Sequence, residues 1–183
     1  MPLNPKLLEN LLNEFGVETQ QWGKGEAKTV DNFFEEIVQG ESYLRVDGES
    51  IFRMIEIVKM FISNALKPQN GLLLEWGQYL PDGRYRERKQ NPEGKVKRGE
   101  SPEEALLREA KEELGIGRYD FYDLSALPSK SESRPSRSYP GLSCLYIVHG
   151  FKMVMLNGVE ICQKNEFTRT EEDGTKLVFK WVK

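Results

Sequence analysis

One short helix, fixed at both ends by its own residues, stands among runs that read as β-strand. That contrast limits what the chain can fold into. The helix is predicted from Pro102 to about Leu114. Ser101 is a natural N-cap, Pro102 suits the first helical position, and Glu104 completes a capping box with Ser101. Gly115 ends it. Leu106, Leu107, Ala110 and Leu114 recur at helical spacing as one apolar stripe.

The flanking runs have a different period. SYLRV and IFRMIEIVKMFI, beginning at Ser42 and Ile51, are rich in β-branched and aromatic residues. The second run alternates imperfectly, as in a strand covered on both sides, although a helix is also compatible with it. GLLLEWGQYL, YDFYDL, LSCLYIVHGFKMVML, NGVEICQ and KLVFKWV read as further strands. LKPQNG, PDG and EEDG read as turns, and RYRERKQ leads into a basic loop. The order strands, one helix, strands predicts α/β or α+β with a mixed sheet.

Ahead of this lies a segment of another kind. Leu7, Leu8, Leu11, Leu12 and Phe15 predict a helix over Pro5–Phe15, stopped by Gly16. A second helix is predicted over Val30–Val38, opened by Thr29 or Asp31, with QQWGKGEAK between the two as a polar linker. Residues 1–48 are therefore expected to form a helical extension that packs on a main domain at 49–183. The extension carries no chemical motif, and it could equally serve a partner interface.

A chain of 183 residues with a net charge of −3 is not a uniformly basic nucleic-acid binder, although a local basic patch is compatible with it. No apolar run approaches the roughly 20 residues of a membrane span. The start has neither the apolar core of a secretory signal nor the composition of a transit peptide. Cys144 and Cys162 form no CxxC pair and sit in apolar surroundings, as buried thiols of a reducing compartment do. The expectation is a cytoplasmic protein without membrane contact, monomeric or homodimeric.

The chemistry is concentrated on the capped helix. Glu109, Glu112 and Glu113 are neighbours at i+3 and i+4, where like charges repel by a few tenths of a kcal/mol per pair. A divalent cation would remove that repulsion. Carboxylate oxygens completed by water suit magnesium or manganese. Arg84, Arg86, Arg88, Lys89, Lys95, Lys97 and Arg98 crowd the stretch just before the helix. Carboxylates, a metal and phosphate-binding cations together make the set used in pyrophosphate chemistry.

These residues resemble a known family. Gly94-x5-Glu100-x7-Arg108-Glu109-Ala110-x-Glu112-Glu113-x-Gly115-Ile116 fits the Nudix box without a gap. At ordinary residue frequencies a chance match is on the order of one in 10⁵ or rarer. The resemblance spans roughly Ser50 to the end. It implies an α/β/α sandwich with a mixed sheet, and a loop–helix–loop that holds divalent metal.

The roles follow by resemblance, position by position. Glu112 and Glu113 match metal ligands, and Glu109 matches a ligand or base. Arg108 matches the arginine that orients a catalytic carboxylate. Glu100 matches an acid that stabilises the loop or reaches an outer metal, and the Gly94 carbonyl a further ligand. The implied catalytic set is Glu109, Arg108 and Glu112. The implied reaction is hydrolysis of a diphosphate linkage in a nucleoside diphosphate joined to another moiety, with Mg²⁺ or Mn²⁺ activating the water. There are departures. Glu93 stands where a Gly-Gly pair is common, and Ala110 is small for its aliphatic position. Many relatives end in a further helix over the second face of the sheet. Here the N-terminal helices are expected to cover it.

Outside the box, Glu160, Glu166, Glu171 and Glu172 are candidates for one more acid, each also a plausible solvated residue. Ser129–Tyr139 reads as a long loop, either a mobile surface segment or one that brings Arg134 and Arg137 to substrate phosphate. With Arg86, Arg88 and Lys95 they form the candidate substrate-binding set. Trp76, Tyr79, Tyr85, Tyr139 and Tyr146 could stack a base or pack in the core. His149 is the sole histidine, so a histidine-built zinc site is excluded. The cations favour a highly charged substrate, such as a dinucleoside polyphosphate or an RNA 5′ end, with nucleotide sugars and ADP-ribose open. Two other classes stay in play: an inactive Nudix-fold module that binds RNA or protein, and a subunit of a larger assembly.

Overall fold

The front of the chain folds as its periodicity predicts. In the computed structural model, which describes residues 4–25, 27–64, 71–136, 138–156, 158–171 and 173–182, α1 covers Pro5–Glu14 and α2 covers Val30–Val38. The Asn4 side chain caps α1 at Leu7 N. Thr29 and Asn32 form a capping box on α2. The strands are β1 (Tyr43–Asp47), β2 (Ser50–Asn64), β3 (Leu72–Tyr79), β4 (Tyr85–Gln90), β5 (Glu93–Lys95), β6 (Phe121–Ala126), β7 (Lys130–Pro135), β8 (Ser143–Met155), β9 (Glu166–Thr170) and β10 (Lys176–Val182). The capped helix is α3 (Pro102–Glu109), and a short helical turn, α4, covers Glu160–Gln163. The fold is mixed α/β, strand-rich with few helices, as expected.

Contacts gather the chain into two compact units: Met1–Ile57 with Lys95–Glu100 and Lys130–Val148, and Val58–Gly94 with Ser101–Ser129 and His149–Lys183. In the first, β1 pairs antiparallel with the start of β2, and β7 with the start of β8. Leu8, Leu12, Trp22, Phe33, Ile51, Tyr139 and Leu142 form its core. The Phe33 and Tyr139 rings lie 4.7 Å apart, and Trp22 donates through Nε1 to the Pro140 carbonyl at 2.9 Å. Trp22 is thus a core residue, although it falls in the stretch expected to be a polar linker.

A carboxylate sits within that first unit. Glu36 of α2 is 6% exposed, and the guanidinium of Arg53, itself 4% exposed, binds it directly. Lys28 Nζ lies 2.8 Å from the same carboxylate, and the Tyr139 hydroxyl donates to it at 3.0 Å. Arg53 also lies over the Tyr139 ring, 4.9 Å from its centroid. Burial pushes Glu36 toward the neutral form, but Lys95, Arg53 and Lys28 outweigh it and pull its pKa down to about 2.

In the second unit the strands run β6-β8-β2-β3-β10-β9, with β4 beside β3. The β3–β10, β10–β9, β3–β4 and β6–β8 pairs are antiparallel. Met60, Ile62, Leu73, Met153, Met155 and Phe179 are buried from the strands, and Leu106, Ala110 and Leu114 from the helical stripe. Phe167 and Phe179 stack at 5.2 Å.

Several expectations are corrected. The segment Ser129–Tyr139 is not a loop: Lys130–Pro135 is β7, in register with β8 from Ser143 to Val148. Every residue of β7 is exposed, so no apolar alternation marks it in the sequence. NGVEICQ is not a strand. Its second half is α4, where adjacent Ile161 and Cys162 are both buried, a pattern alternation cannot give. The basic stretch after PDG is largely strand, β4 and β5, and EFTRT forms the unforeseen β9. Most of the turn LKPQNG lies outside the described residues. Among the described residues no helix is long and apolar enough to cross a membrane. Cys144 and Cys162 are buried free thiols.

Candidate functional site

The box helix begins as its residues dictate. Glu104 N donates to Ser101 Oγ at 3.3 Å, and Ser101 N donates to Glu104 Oε2 at 2.8 Å. The α form ends at Glu109. From Ala110 to Leu114 the turn widens to π form, and Gly115 closes it in the left-handed region at φ 72°. Arg169 of β9 donates to the Leu114 carbonyl at 3.1 Å, satisfying one of the helix's last acceptors.

The wide turn carries Glu112 and Glu113. Glu112 is 58% exposed and receives a hydrogen bond from Arg108 Nη1 at 3.2 Å. Glu109, 13% exposed, takes the same Arg108 nitrogen at 2.7 Å. Glu113 is half-buried and faces other acids. Its burial, then the charges of Glu109, Glu75, Glu171 and Glu93, raise its pKa well above the usual carboxylate range. Burial likewise raises Glu75, against the pull of Arg88 and a 2.7 Å hydrogen bond from Gln78. Partial shielding, then Asp173, Glu75 and Glu109, raise Glu171.

The loop strand β5 completes this region. A β-carbon on Gly94 would lie 2.1 Å from Glu109 Cγ and 2.2 Å from Cδ. Only glycine lets the Glu109 side chain rest against the loop backbone there. Three cations offset part of the charge: Arg108, Lys59 at 3.4 Å from Glu93, and Arg88 at 3.5 Å from Glu75 and 3.9 Å from Glu93.

Of the expected site residues, Arg108, Glu109, Glu113 and Gly94 fall in this one unit, with Glu112 on its solvent side. Glu100 lies in the other unit's segment and accepts from Lys97 N at 3.0 Å. Arg88 pairs with the acidic group. Arg86 is exposed on β4 opposite Gln78. Lys95 binds Glu41 at 2.6 Å, and the Arg134 guanidinium covers the Tyr146 ring at 4.1 Å. Arg137 and Glu172 lie outside the described residues. Among the other acids considered, Glu160 pairs with Lys164 and Glu166 with Lys180. Of that set, Glu171 is the acid whose charge reaches Glu113.

Sequence reasoning did not find Glu75. It occupies an inward position of β3, in alternation with buried Leu73 and Gly77. An acid at an apolar position of a strand was the available signal. Tyr139 proves to be core, whereas Tyr79 and Tyr85 are exposed and pack on each other at 4.9 Å. His149 Nδ1 lies 2.8 Å from Ser129 Oγ.

The family model described as "NUDIX domain" matches residues 61–182, the greater part of the chain. The chain belongs to the Nudix family. No curated protein sequence matches it. Among solved structures, this Nudix chain is similar to DR0079 from Deinococcus radiodurans (24% identity, 62% of this chain and 64% of that one, TM-score 0.37). It is also similar to the C. elegans Ap4A hydrolase in a binary complex (20% identity, 69% and 79%, TM-score 0.37). A third is a MutT/nudix family protein from Enterococcus faecalis (19% identity, 91% and 61%, TM-score 0.37). The alignments thus span less than two thirds of the D. radiodurans and E. faecalis proteins.

The donor set fits a divalent cation. Burial, and after it the charges of neighbouring carboxylates, raise the Glu113 pKa, and Gly94 leaves room for the Glu109 carboxyl at the loop. Among the described residues no three His, Cys, Asp or Glu side chains are yet gathered closely enough to hold an ion as they stand.

Proposed function

We propose that this Nudix protein is a metal-dependent pyrophosphohydrolase that cleaves a diphosphate linkage in a nucleoside diphosphate joined to another moiety. The observation that supports the reading is Glu113, a half-buried box glutamate on which the charges of Glu109, Glu75, Glu171 and Glu93 act. A bare cluster of that kind is electrostatically unfavourable, and a divalent cation relieves it. Glu109 and Glu113 would hold Mg²⁺ or Mn²⁺, with Glu112 at the solvent side. When bound, the cation supplies Lewis-acid stabilisation of phosphoryl charge.

The chain's own residues do the rest. Arg108 holds the Glu109 carboxyl in place through its 2.7 Å contact. Glu109 would accept a proton from attacking water. Arg88, which pairs with Glu75 and Glu93, is the cation of this region for which a substrate phosphate would compete. The cations of β4 favour a substrate with several phosphates. A dinucleoside polyphosphate, ADP-ribose, a nucleotide sugar and a 5′-phosphorylated RNA make up the discriminating panel.

The test is release of nucleotide product from that panel with Mg²⁺ and with Mn²⁺, by the wild type and by Glu109→Gln and Glu113→Gln. Turnover by the wild type that needs the metal and is lost in both variants is expected. A folded wild type that cleaves nothing, or variants as active as the wild type, would sink the reading and favour a binding module.

A further inference from the structure

We propose that Gln78 is a positioning residue for the binding of substrate phosphate, holding the Glu75 carboxylate so that it braces Arg88. The idea rests on the hydrolase reading above and adds to it a residue outside the box. All the groups involved on β3 and β4 lie within Val58–Gly94, one stretch of one compact unit.

On a regular strand Gln78 would not reach Glu75, because residues three apart point to opposite faces. Yet Gln78 Nε2 donates to Glu75 Oε1 at 2.7 Å. The registers of both neighbouring strands show the cause. On β10, Val178 lies opposite Gly77 and the next residue, Phe179, lies opposite Glu75, so Trp76 has no partner there. On β4, Glu87 lies opposite Gly77 and Gln90 opposite Glu75, so Arg88 and Lys89 share the place beside Trp76. A β-bulge of this kind breaks the alternation and re-aims side chains. Its strain falls on Lys89, the one non-glycine residue with positive φ among the described residues, at 48°. Lys89 Nζ lies 5.0 Å from the centroid of the Trp76 ring, whereas Arg88 turns to the acids. The irregularity thus puts Gln78 and Arg88 on the face of Glu75.

The contacts there converge on one oxygen. Arg88 Nε lies 3.5 Å from Glu75 Oε1, the atom that Gln78 holds, and Arg88 Nη2 lies 3.9 Å from Glu93 Oε1. Glu75 is 6% exposed, so the Gln78 amide rather than bulk water fixes which way its carboxylate faces. A guanidinium braced by two carboxylates is already ordered, and a phosphate that engages it is spared that cost. Gln78 acts on the substrate only through Glu75 and Arg88.

The test uses the full chain. Gln78→Met keeps the length and removes the donor, and Gln78→Asn keeps an amide too short to reach. Arg88→Met and the double variant with Gln78→Met complete the set. Exchange of the Arg88 Nε proton with water is followed by NMR without metal, the signal being assigned by its loss in Arg88→Met. Then kcat and KM are measured with Mg²⁺ for whichever diphosphate the wild type cleaves. Both Gln78 variants should speed that exchange by about tenfold and raise KM by about fivefold, with kcat within about twofold of the wild type. Arg88→Met should raise KM at least as much, and adding Gln78→Met to it should change nothing further. KM effects that multiply in the double variant would show Gln78 acting apart from Arg88 and overturn the proposal. Exchange as slow in both Gln78 variants as in the wild type would overturn it too, as would a loss confined to kcat. The exchange measurement needs no turnover, so a wild type without activity defeats the hydrolase reading while the brace is still judged.

Discussion

The Glu109 carboxyl rests against the bare Cα of Gly94, so closely that a methyl group there would come within 2.2 Å of Glu109 Cδ. The obstructed atoms, Cγ, Cδ and Oε1, belong to one side chain and not to backbone, so a change of the Glu109 rotamer relieves them. Gly94→Ala should therefore keep its melting temperature within about 4 °C of the wild type, the shift expected for roughly 1 kcal/mol in a chain of this size. Turnover should fall by about 100-fold, because the displaced carboxyl is the proposed base. Melting curves with steady-state rates on one protein batch check both halves. Full activity in the folded variant would mean that Glu109 works elsewhere.

Glu113 makes the metal visible without any assay of turnover. Burial and four neighbouring acids hold its pKa well above that of the unfolded chain. Such a group favours folding while protonated, and the benefit is lost as pH rises through the folded-state pKa. Glu113→Gln should thus raise the metal-free melting temperature at pH 8, by about 2–4 °C for each kcal/mol relieved, and leave it nearly unchanged at pH 4. Saturating Mg²⁺ should stabilise the wild type at pH 8 and not the variant. Thermal melts at the two pH values, with and without metal, decide it.

The buried carboxylate of the other unit predicts the opposite pH response. Glu36 has a pKa of about 2 in the folded protein against an ordinary value of 4.5. Its contribution, on the order of 3 kcal/mol, is fully present above pH 4.5 and is lost as pH falls toward 2. Urea unfolding from pH 7 to pH 2 should show that loss, and Glu36→Gln should flatten it. The variant should also be destabilised at pH 7 by about 3–5 kcal/mol, since Arg53 is left buried without its partner. Changing Arg53 to Met as well should recover part of the loss.

These cases show what the residues disclose in advance and what they withhold. Ser101, Pro102, Glu104 and Gly115 act through local geometry, so the start of α3 and the closing glycine follow from the chain alone. The box acids are legible for the same reason. The π turn is not, because Ala110–Leu114 has an ordinary helical composition and widens without any local signal. Glu75 is hidden by its strand, where one acid among apolar neighbours looks like noise until Glu113 is placed near it. Lys95 reads as one more cation of a phosphate-binding run. Its partners, Glu36 and Glu41, lie more than fifty residues earlier and cannot be paired with it by spacing. The exposed edge strand β7 lacks the alternation that marks a strand, since neither of its faces is buried.

Arg108 serves two carboxylates that differ in their exposure. Its Nη1 is shared between Glu109 at 2.7 Å and Glu112 at 3.2 Å, and Glu112 is 58% exposed. The exposed pair with Glu112 contributes roughly 0–1 kcal/mol, but Glu109 is 13% exposed and loses its partner as well, so Arg108→Met should melt lower than that pair alone accounts for, by about 2–4 °C for each further kcal/mol. Catalysis depends on the other contact. Without the guanidinium, Glu109 loses the donor that fixes its orientation, and kcat should drop by at least about tenfold with KM changed little. Arg108→Lys keeps the charge but not the planar fork of donors, so it should recover only part of the rate. Steady-state kinetics on both variants, with metal saturating, measure the effect. A lysine variant that matched the wild type would reduce Arg108 to a simple counter-charge.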